Sequence, residues 1–205
     1  DTYAVGGCDL SATTDLTCAT LLIRKRDDPV VYVLQQYFLP EKRIKDLEEK
    51  NTAEAPYRLW EQKGLLTVCE GNRVNYSAVT EWFCEMRDKH KITTIKVGYD
   101  RALAGYWVDE MISNGFEMEA VAQGPFTWSQ AMREMGAALD GKTVNYNGNP
   151  ILVWCLTNTA VKKSGLNNIQ PVKITDKRRI DGTVSLLNAW VIYVKYYEDF
   201  MYSVG

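Results

Sequence analysis

Three apolar runs with strand character crowd the start of the chain, at residues 3–10, 16–23 and 30–39. Only short polar or charged turns separate them, so the simplest arrangement is an antiparallel meander. The first run holds Gly6-Gly7, and paired glycines in a strand mark the close approach of another backbone. It ends in Asp9, where apolar residues give way to Ser11-Ala12-Thr13-Thr14-Asp15. On a period of two, Asp9 shares a strand face with Val5 and Gly7.

Beyond the meander the pattern alternates. Segments 41–50 and Pro56–Gly64 look helical and largely exposed, and Leu65–Cys69 is a short strand. Ser77–Lys89 has Val79, Trp82, Phe83 and Met86 at helical spacing, with Asn75 or Ser77 as cap. A strand at Thr94–Asp100 ends in a second aspartate. A helix over Gly105–Asn114 closes at Gly115. A strand at Met118–Ala122 precedes a helix over Thr127–Leu139, with a Thr or Ser cap. Asn149-Pro150 opens a further helix, expected to run to Val161. Residues 162–180 are basic and irregular, and a last helix spans Asp181–Tyr197 with Val184, Leu187, Trp190, Val191 and Val194 inward. The expectation is an α/β fold: a mixed sheet, part antiparallel meander and part parallel, with helices on both faces. A length of 205 residues fits one domain, 1–205, and 46% apolar residues supply a full core.

No apolar run reaches membrane-spanning length, and the first residues lack a secretory signal pattern. The five cysteines form no C-x-x-C pair and read as buried free thiols in a reducing compartment. His90 is the only histidine, which argues against His-rich zinc sites and Ser-His-Asp or Cys-His catalysis. Chemistry here falls to carboxylates, lysines, tyrosines or a metal.

Asp9 and Asp100 end strands, and Asp181 opens the last helix after Lys177-Arg178-Arg179-Ile180. Taken singly, each is an ordinary cap or turn former. If the two strands are neighbours and the helix crosses their end, the three oxygen donors form a set suited to Mg²⁺ or Mn²⁺. Two such ions support phosphodiester hydrolysis. Lys162, Lys163, Lys173, Lys177, Arg178 and Arg179 precede Asp181 and make a candidate phosphate track, as do Arg24, Lys25 and Arg26 on the first hairpin. A solvated face is the commoner fate of a charge run, but placement beside Asp181 favours the phosphate track for Lys177–Arg179, while the hairpin is evenly balanced between the two. Gly136–Thr143 matches the P-loop pattern letter for letter, but it ends a helix instead of opening one, so Asp140-Gly141 reads as a helix stop. The tryptophans at 82, 107, 128, 154 and 190 sit at apolar helical positions and read as core.

Gly7-Cys8-Asp9-Leu10-Ser11-Ala12-Thr13-Thr14-Asp15-Leu16-Thr17 resembles the opening of the nuclease domain of the large terminase subunit of tailed bacteriophages. Val97-Gly98-Tyr99-Asp100, with its following helix and Gly115, is similar to the family's second motif. Val121-Ala122-Gln123-Gly124, the helix after Trp128, and Asn147-Gly148-Asn149-Pro150 with Trp154 and Asn158 fit in order. Arg179-Ile180-Asp181-Gly182 resembles the third motif.

The resemblance implies an RNase H-like fold and a two-metal endonuclease that cuts double-stranded DNA concatemers during packaging, in the cytoplasm of an infected bacterium. It carries the metal ligands onto Asp9, Asp100 and Asp181, with Asp9 bridging two Mg²⁺ or Mn²⁺ ions and Asp15 and Asp176 as helpers. It also implies partners: an N-terminal packaging ATPase domain, the portal and the small terminase subunit. The family's P-loop ATPase is not in this chain, so a C-terminal nuclease fragment is expected. The rivals are a junction resolvase or integrase-type strand transferase, an ATP-binding actin-like domain, and a catalytically silent portal-docking module.

Overall fold

A computed structural model describes residues 2–103, 105–165 and 167–205. The meander forms as expected: β1 (Thr2–Asp9), β2 (Thr17–Ile23) and β3 (Val31–Pro40) pair antiparallel in sequence. Every residue of β2 is buried, which explains its unbroken apolar and threonine run. Two helices follow, α1 (Glu41–Glu49) and α2 (Tyr57–Gln62), then β4 (Leu66–Cys69), parallel to β3. These helices are less exposed than their charge implies, because Ile44, Leu47, Tyr57 and Trp60 each turn into the core.

The rest is α3 (Tyr76–Asp88), β5 (Ile92–Tyr99), α4 (Gly105–Ser113), β6 (Met118–Ala120), α5 (Pro125–Asp140), β7 (Val144–Asn145), α6 (Pro150–Thr157), β8 (Thr159–Ser164), β9 (Asn168–Lys173), α7 (Asp181–Lys195) and α8 (Tyr197–Val204). The sheet order is β4-β3-β2-β1-β5-β6, with β7 also against β3. β5 runs parallel to β1, and β6 parallel to β5. The mixed sheet has helices on both faces. α3 and α4 cover one through Val79, Phe83, Trp107 and Met111. α5, α7 and α8 cover the other through Trp128, Leu186, Trp190 and Phe200, beside α6, α1 and α2.

Five expectations change. The helix after Asn149 stops at Thr157, and the supposedly irregular segment holds an antiparallel hairpin, β8–β9. Its strands carry lysines, glutamine and asparagine on partly exposed positions, so no apolar alternation betrays them. α5 starts at Pro125 after Gly124 and uses no side-chain cap. α7 ends at Lys195 and α8 follows. The buried side of α7 is also much wider than one stripe and includes Leu186, Ala189, Ile192 and Tyr193.

Local signals elsewhere hold. The Asn75 side chain accepts from the Ser77 amide at 3.1 Å, and that of Asn149 from Ile151 at 3.0 Å. The P-loop-like stretch is the end of α5 and its turn, with Gly136 inside the helix. The tryptophans at 82, 107, 128, 154 and 190 all lie on helices. The five cysteines are free, with Cys84 partly exposed and the others buried. Among the described residues no helix is long and apolar enough to cross a membrane.

Candidate metal and nucleic-acid site

The site begins with strand register. Gly6 and Gly7 of β1 pair with Val97 and Gly98 of β5, in parallel. Two residues further on, the same register brings Asp9 opposite Asp100. Neighbouring strands lie about 4.8 Å apart, so the two aspartates leave the sheet side by side. Asp9 also pairs with Cys18, and Cys18 with Tyr37. Tyr37, Cys18 and Asp9 thus form one row across three strands, and Asp100 follows directly on the end of β5 at Tyr99.

α7 crosses that row obliquely. Its first turn lies over Tyr37, its second over Cys18 and Gly7, and its third over Gly98. The glycines permit this. A Cβ on Gly7 would come within 2.6 Å of the Ser185 carbonyl oxygen and closer still to the Ala189 amide. Asp181, the first residue of α7, is therefore delivered to the end of the sheet where Asp9 and Asp100 stand. Its charge, with those of Asp100 and Asp15, acts on Asp9 from chain segments far apart in sequence.

Electrostatics agree with that placement. Burial pushes the Asp9 carboxyl well above the usual aspartate range, and the charges of Asp181, Asp100 and Asp15 push it further, against Lys173. Asp9 nevertheless keeps a partly exposed edge. Asp181 is 6% exposed and is raised to about 7, first by burial and then by Asp15, with Lys173 and Arg179 opposing. Its Oδ2 is buried and has no hydrogen-bond partner. An orphaned carboxylate oxygen in a crowd of like charge is a cost that a cation relieves. Asp100 uses one oxygen to accept from the Ala102 amide at 2.9 Å. Among the described residues, no three His, Cys, Asp or Glu side chains are drawn into a metal-holding group as they stand. The hard oxygen donors and the unpartnered Asp181 oxygen still fit a divalent ion of the magnesium or manganese kind.

The helper and basic residues divide. Asp15 sits in the cluster and pairs with Lys173 at 3.5 Å and with Arg179. Asp176 is exposed in the loop before α7. Lys173 stands at the base of the β8–β9 hairpin, opposite Thr159, whose hydroxyl meets that of Thr183 on α7 at 2.9 Å. Lys162 and Lys163 are exposed further out on β8, and Lys177 and Arg178 are exposed beside Asp176. Two expectations are corrected. Arg179 is buried and tied to Asp15 and to Glu54 at 3.3 Å, so it is an internal ion-pair residue and not an open phosphate contact. Arg24 and Lys25 lie at the opposite end of the sheet, because Ile23 pairs with Ala4 and not with Asp9. At about 3.4 Å per residue that is roughly 17 Å from Asp9. There Arg24 donates to the Asp28 carbonyl and the Tyr193 hydroxyl, and Lys25 lies over the Tyr32 ring.

Polar residues beneath α7 also belong to the site's frame and were not expected from sequence: Thr20, Gln35, Ser185 and Asn188, all buried. Their signal was present, since Thr20 and Gln35 interrupt strands that are otherwise apolar on their inward faces.

Comparison with known proteins places this architecture. Protein YmfN of Escherichia coli (strain K12) is 27% identical over 190 residues, covering 88% of this chain and 41% of that protein. The large terminase of bacteriophage HK97 has a solved structure that superposes with a TM-score of 0.81 at 26% identity, covering 94% of this chain and 40% of that one. This chain thus spans about two fifths of the length of these relatives. The large terminase nuclease of thermophilic phage G20c shares the fold at a TM-score of 0.61 and 12% identity, over 96% of this chain and 83% of that one. The same G20c nuclease has been solved with bound magnesium, and that structure matches with a TM-score of 0.57. The mixed sheet with its flanking helices is the RNase H-like fold of the terminase nucleases. A family model described as the terminase large subunit, endonuclease domain, matches residues 2–195, and the chain belongs to that family.

Proposed function

We propose that this chain is a divalent-metal endonuclease that cuts double-stranded viral DNA concatemers during genome packaging. The observation that supports this reading is that the charges of Asp181 and Asp100 both act on the buried Asp9 carboxyl, while Asp181 Oδ2 is buried and unpartnered. These three residues would hold two Mg²⁺ or Mn²⁺ ions, with Asp9 shared between them, and Asp15 stands near enough to assist. Bound there, the ions supply an activated water and charge stabilisation at the leaving 3′-oxygen. Magnesium in the G20c nuclease structure supports the choice of metal.

The chain's own residues do the rest. Asp181, rigid at the head of a buried helix, and Asp9, rigid at a strand end, hold the oxygen donors in a fixed frame. Lys173 tempers the crowded negative charge and stands where a phosphate approaches. Lys177 and Arg178, with Lys162 and Lys163 along the hairpin, neutralise backbone phosphates on one side of the cluster. Phosphate contacts of this kind position a duplex without reading its sequence, which agrees with cutting of little sequence preference. Asp176 is a weaker helper candidate because it faces solvent. By family, the expected partners are a packaging ATPase domain, the portal and the small terminase subunit, in the host cytoplasm.

The test is plasmid cleavage with Mn²⁺ or Mg²⁺. The wild-type chain should nick and linearise supercoiled DNA, and Asp9→Asn should not, while both give the same circular dichroism. Cleavage by Asp9→Asn at the wild-type rate would overturn the assignment.

A further inference from the structure

Buried hydroxyls and amides form a directed chain under the first turns of α7. Tyr37, fully buried, donates its hydroxyl to Gln35 Oε1 at 2.5 Å. That contact orients the Gln35 amide, so its Nε2 faces the Thr20 hydroxyl at 2.9 Å and the Gly182 carbonyl at 3.1 Å. Thr20 and Ser185 hydroxyls meet at 2.7 Å. Ser185 donates to the Cys18 carbonyl at 2.9 Å, so the shared proton in the Thr20–Ser185 contact comes from Thr20. The chain then runs one way, from Tyr37 through Gln35, Thr20 and Ser185 to the sheet backbone. Gly182 completes the seat, since a Cβ there would collide with the Tyr37 hydroxyl.

The polar chemistry is the informative part. Leucine or valine at these positions would hold a helix against a sheet at least as strongly, because apolar packing needs no matched partners. It would not fix rotation or sliding of the helix, whereas hydrogen bonds with defined donors and acceptors do. The residue carried on that first turn is Asp181, next to Gly182. We infer that Tyr37, Gln35, Thr20 and Ser185 are positioning residues for Asp181: they set the rotation of α7 so that its carboxylate joins Asp9 and Asp100. This rests on the metal-nuclease reading and adds the groups that aim its third ligand.

The experiment uses the present chain and four variants. Thr20→Val removes the hydroxyl at nearly constant shape, Thr20→Ser keeps it, and Tyr37→Phe frees the Gln35 amide. Gln36→Leu is the control: Gln36 is the next residue on β3, turned to the other face, where it donates to Gly64 and Thr67. Mn²⁺ affinity is read by calorimetry, together with kcat and KM for plasmid cleavage and the melting temperature. Thr20→Val and Tyr37→Phe should weaken Mn²⁺ binding and lower kcat by about 10-fold each, with KM for DNA unchanged. Thr20→Ser should restore both, and Gln36→Leu should alter neither, even where it lowers the melting temperature as much. Equal Mn²⁺ affinity and kcat in Thr20→Val, Tyr37→Phe and wild type would overturn the positioning role and leave the nuclease reading standing. A wild-type chain that neither binds Mn²⁺ nor cuts would overturn both. Should Thr20→Val fail to fold, Tyr37→Phe against Gln36→Leu decides the matter alone.

Discussion

Gly7 of β1 and Gly98 of β5 are register partners, and both turn their missing side chains toward α7. They differ in what a methyl group would meet. At Gly7 it would be helix backbone; at Gly98 the nearest atom is the Ile192 side chain at 2.7 Å. Backbone cannot step aside without moving the helix, while a side chain can change rotamer. Gly7→Ala should therefore cost more than Gly98→Ala, about 3 kcal/mol or more against about 1–2 kcal/mol. Urea unfolding of the two variants checks the order.

Asp100→Asn and Asp181→Asn should abolish metal-dependent cleavage as Asp9→Asn does. Asp176→Asn should leave it within about twofold, since exposed substitutions usually change free energies by no more than about 0.5 kcal/mol. A plasmid assay at saturating Mn²⁺ separates them, and a large loss in Asp176→Asn would restore that residue to the site.

Without metal, Asp181 titrates at about 7 in the fold, against about 3.9 for an aspartate in an unfolded chain. Between those values the fold keeps a proton that the unfolded chain has released. Its contribution to stability is whole below about pH 4 and is lost as pH rises through 7. Thermal melts in chelator should show the wild type less stable at about pH 8 than at about pH 5 by a few kcal/mol, each pKa unit being about 1.4 kcal/mol. Asp181→Asn should shrink the difference, with the raised Asp9 carboxyl supplying what remains in the same direction, and Mn²⁺ should reverse the loss in the wild type.

DNA affinity should separate the two basic groups. Changing Lys177 and Arg178 to Ala should reduce the slope of log affinity against log salt by about 0.9 for each phosphate left unneutralised. Changing Arg24 and Lys25 should leave the slope unaltered, because they lie at the far end of the sheet. Fluorescence anisotropy on a duplex over a salt series gives both values.

Arg179 should behave as a structural residue. Arg179→Ala leaves Asp15 with Lys173 and Glu54 with Arg43, both partly exposed, and should cost about 1–3 kcal/mol in stability through the lost charge-assisted hydrogen bonds. A variant of wild-type stability that bound DNA weakly would instead make it a phosphate contact.

The three-stranded meander and most helices were legible because their residues obey one period for long enough. Alternation in β3, the continuous run in β2, and the caps at Asn75 and Asn149 each left a local mark. Gly6-Gly7 announced a close backbone approach, and α7 supplied it. The hairpin β8–β9 was illegible because its lysines, glutamine and asparagine lie on a surface that rewards no alternation. The fate of Arg179 was illegible for another reason. Its partners Asp15 and Glu54 lie far off in sequence, and nothing in Lys177-Arg178-Arg179 shows that one cation turns inward while two remain in solvent. A shared site for Asp9, Asp100 and Asp181 was visible only as a conditional, and the parallel pairing of β1 with β5 meets its first condition.

The oblique path of α7 has a consequence for how the protein is made. Strands β1 and β5 leave the ribosome well before it, bringing Asp9, Asp15 and Asp100 but not Asp181 and no cover for Gly7 and Gly98. On the proposed function, a nascent or truncated chain is harmless to DNA. Cutting competence is acquired in the same step that buries the last helix, so the folding of this domain is also its safety catch.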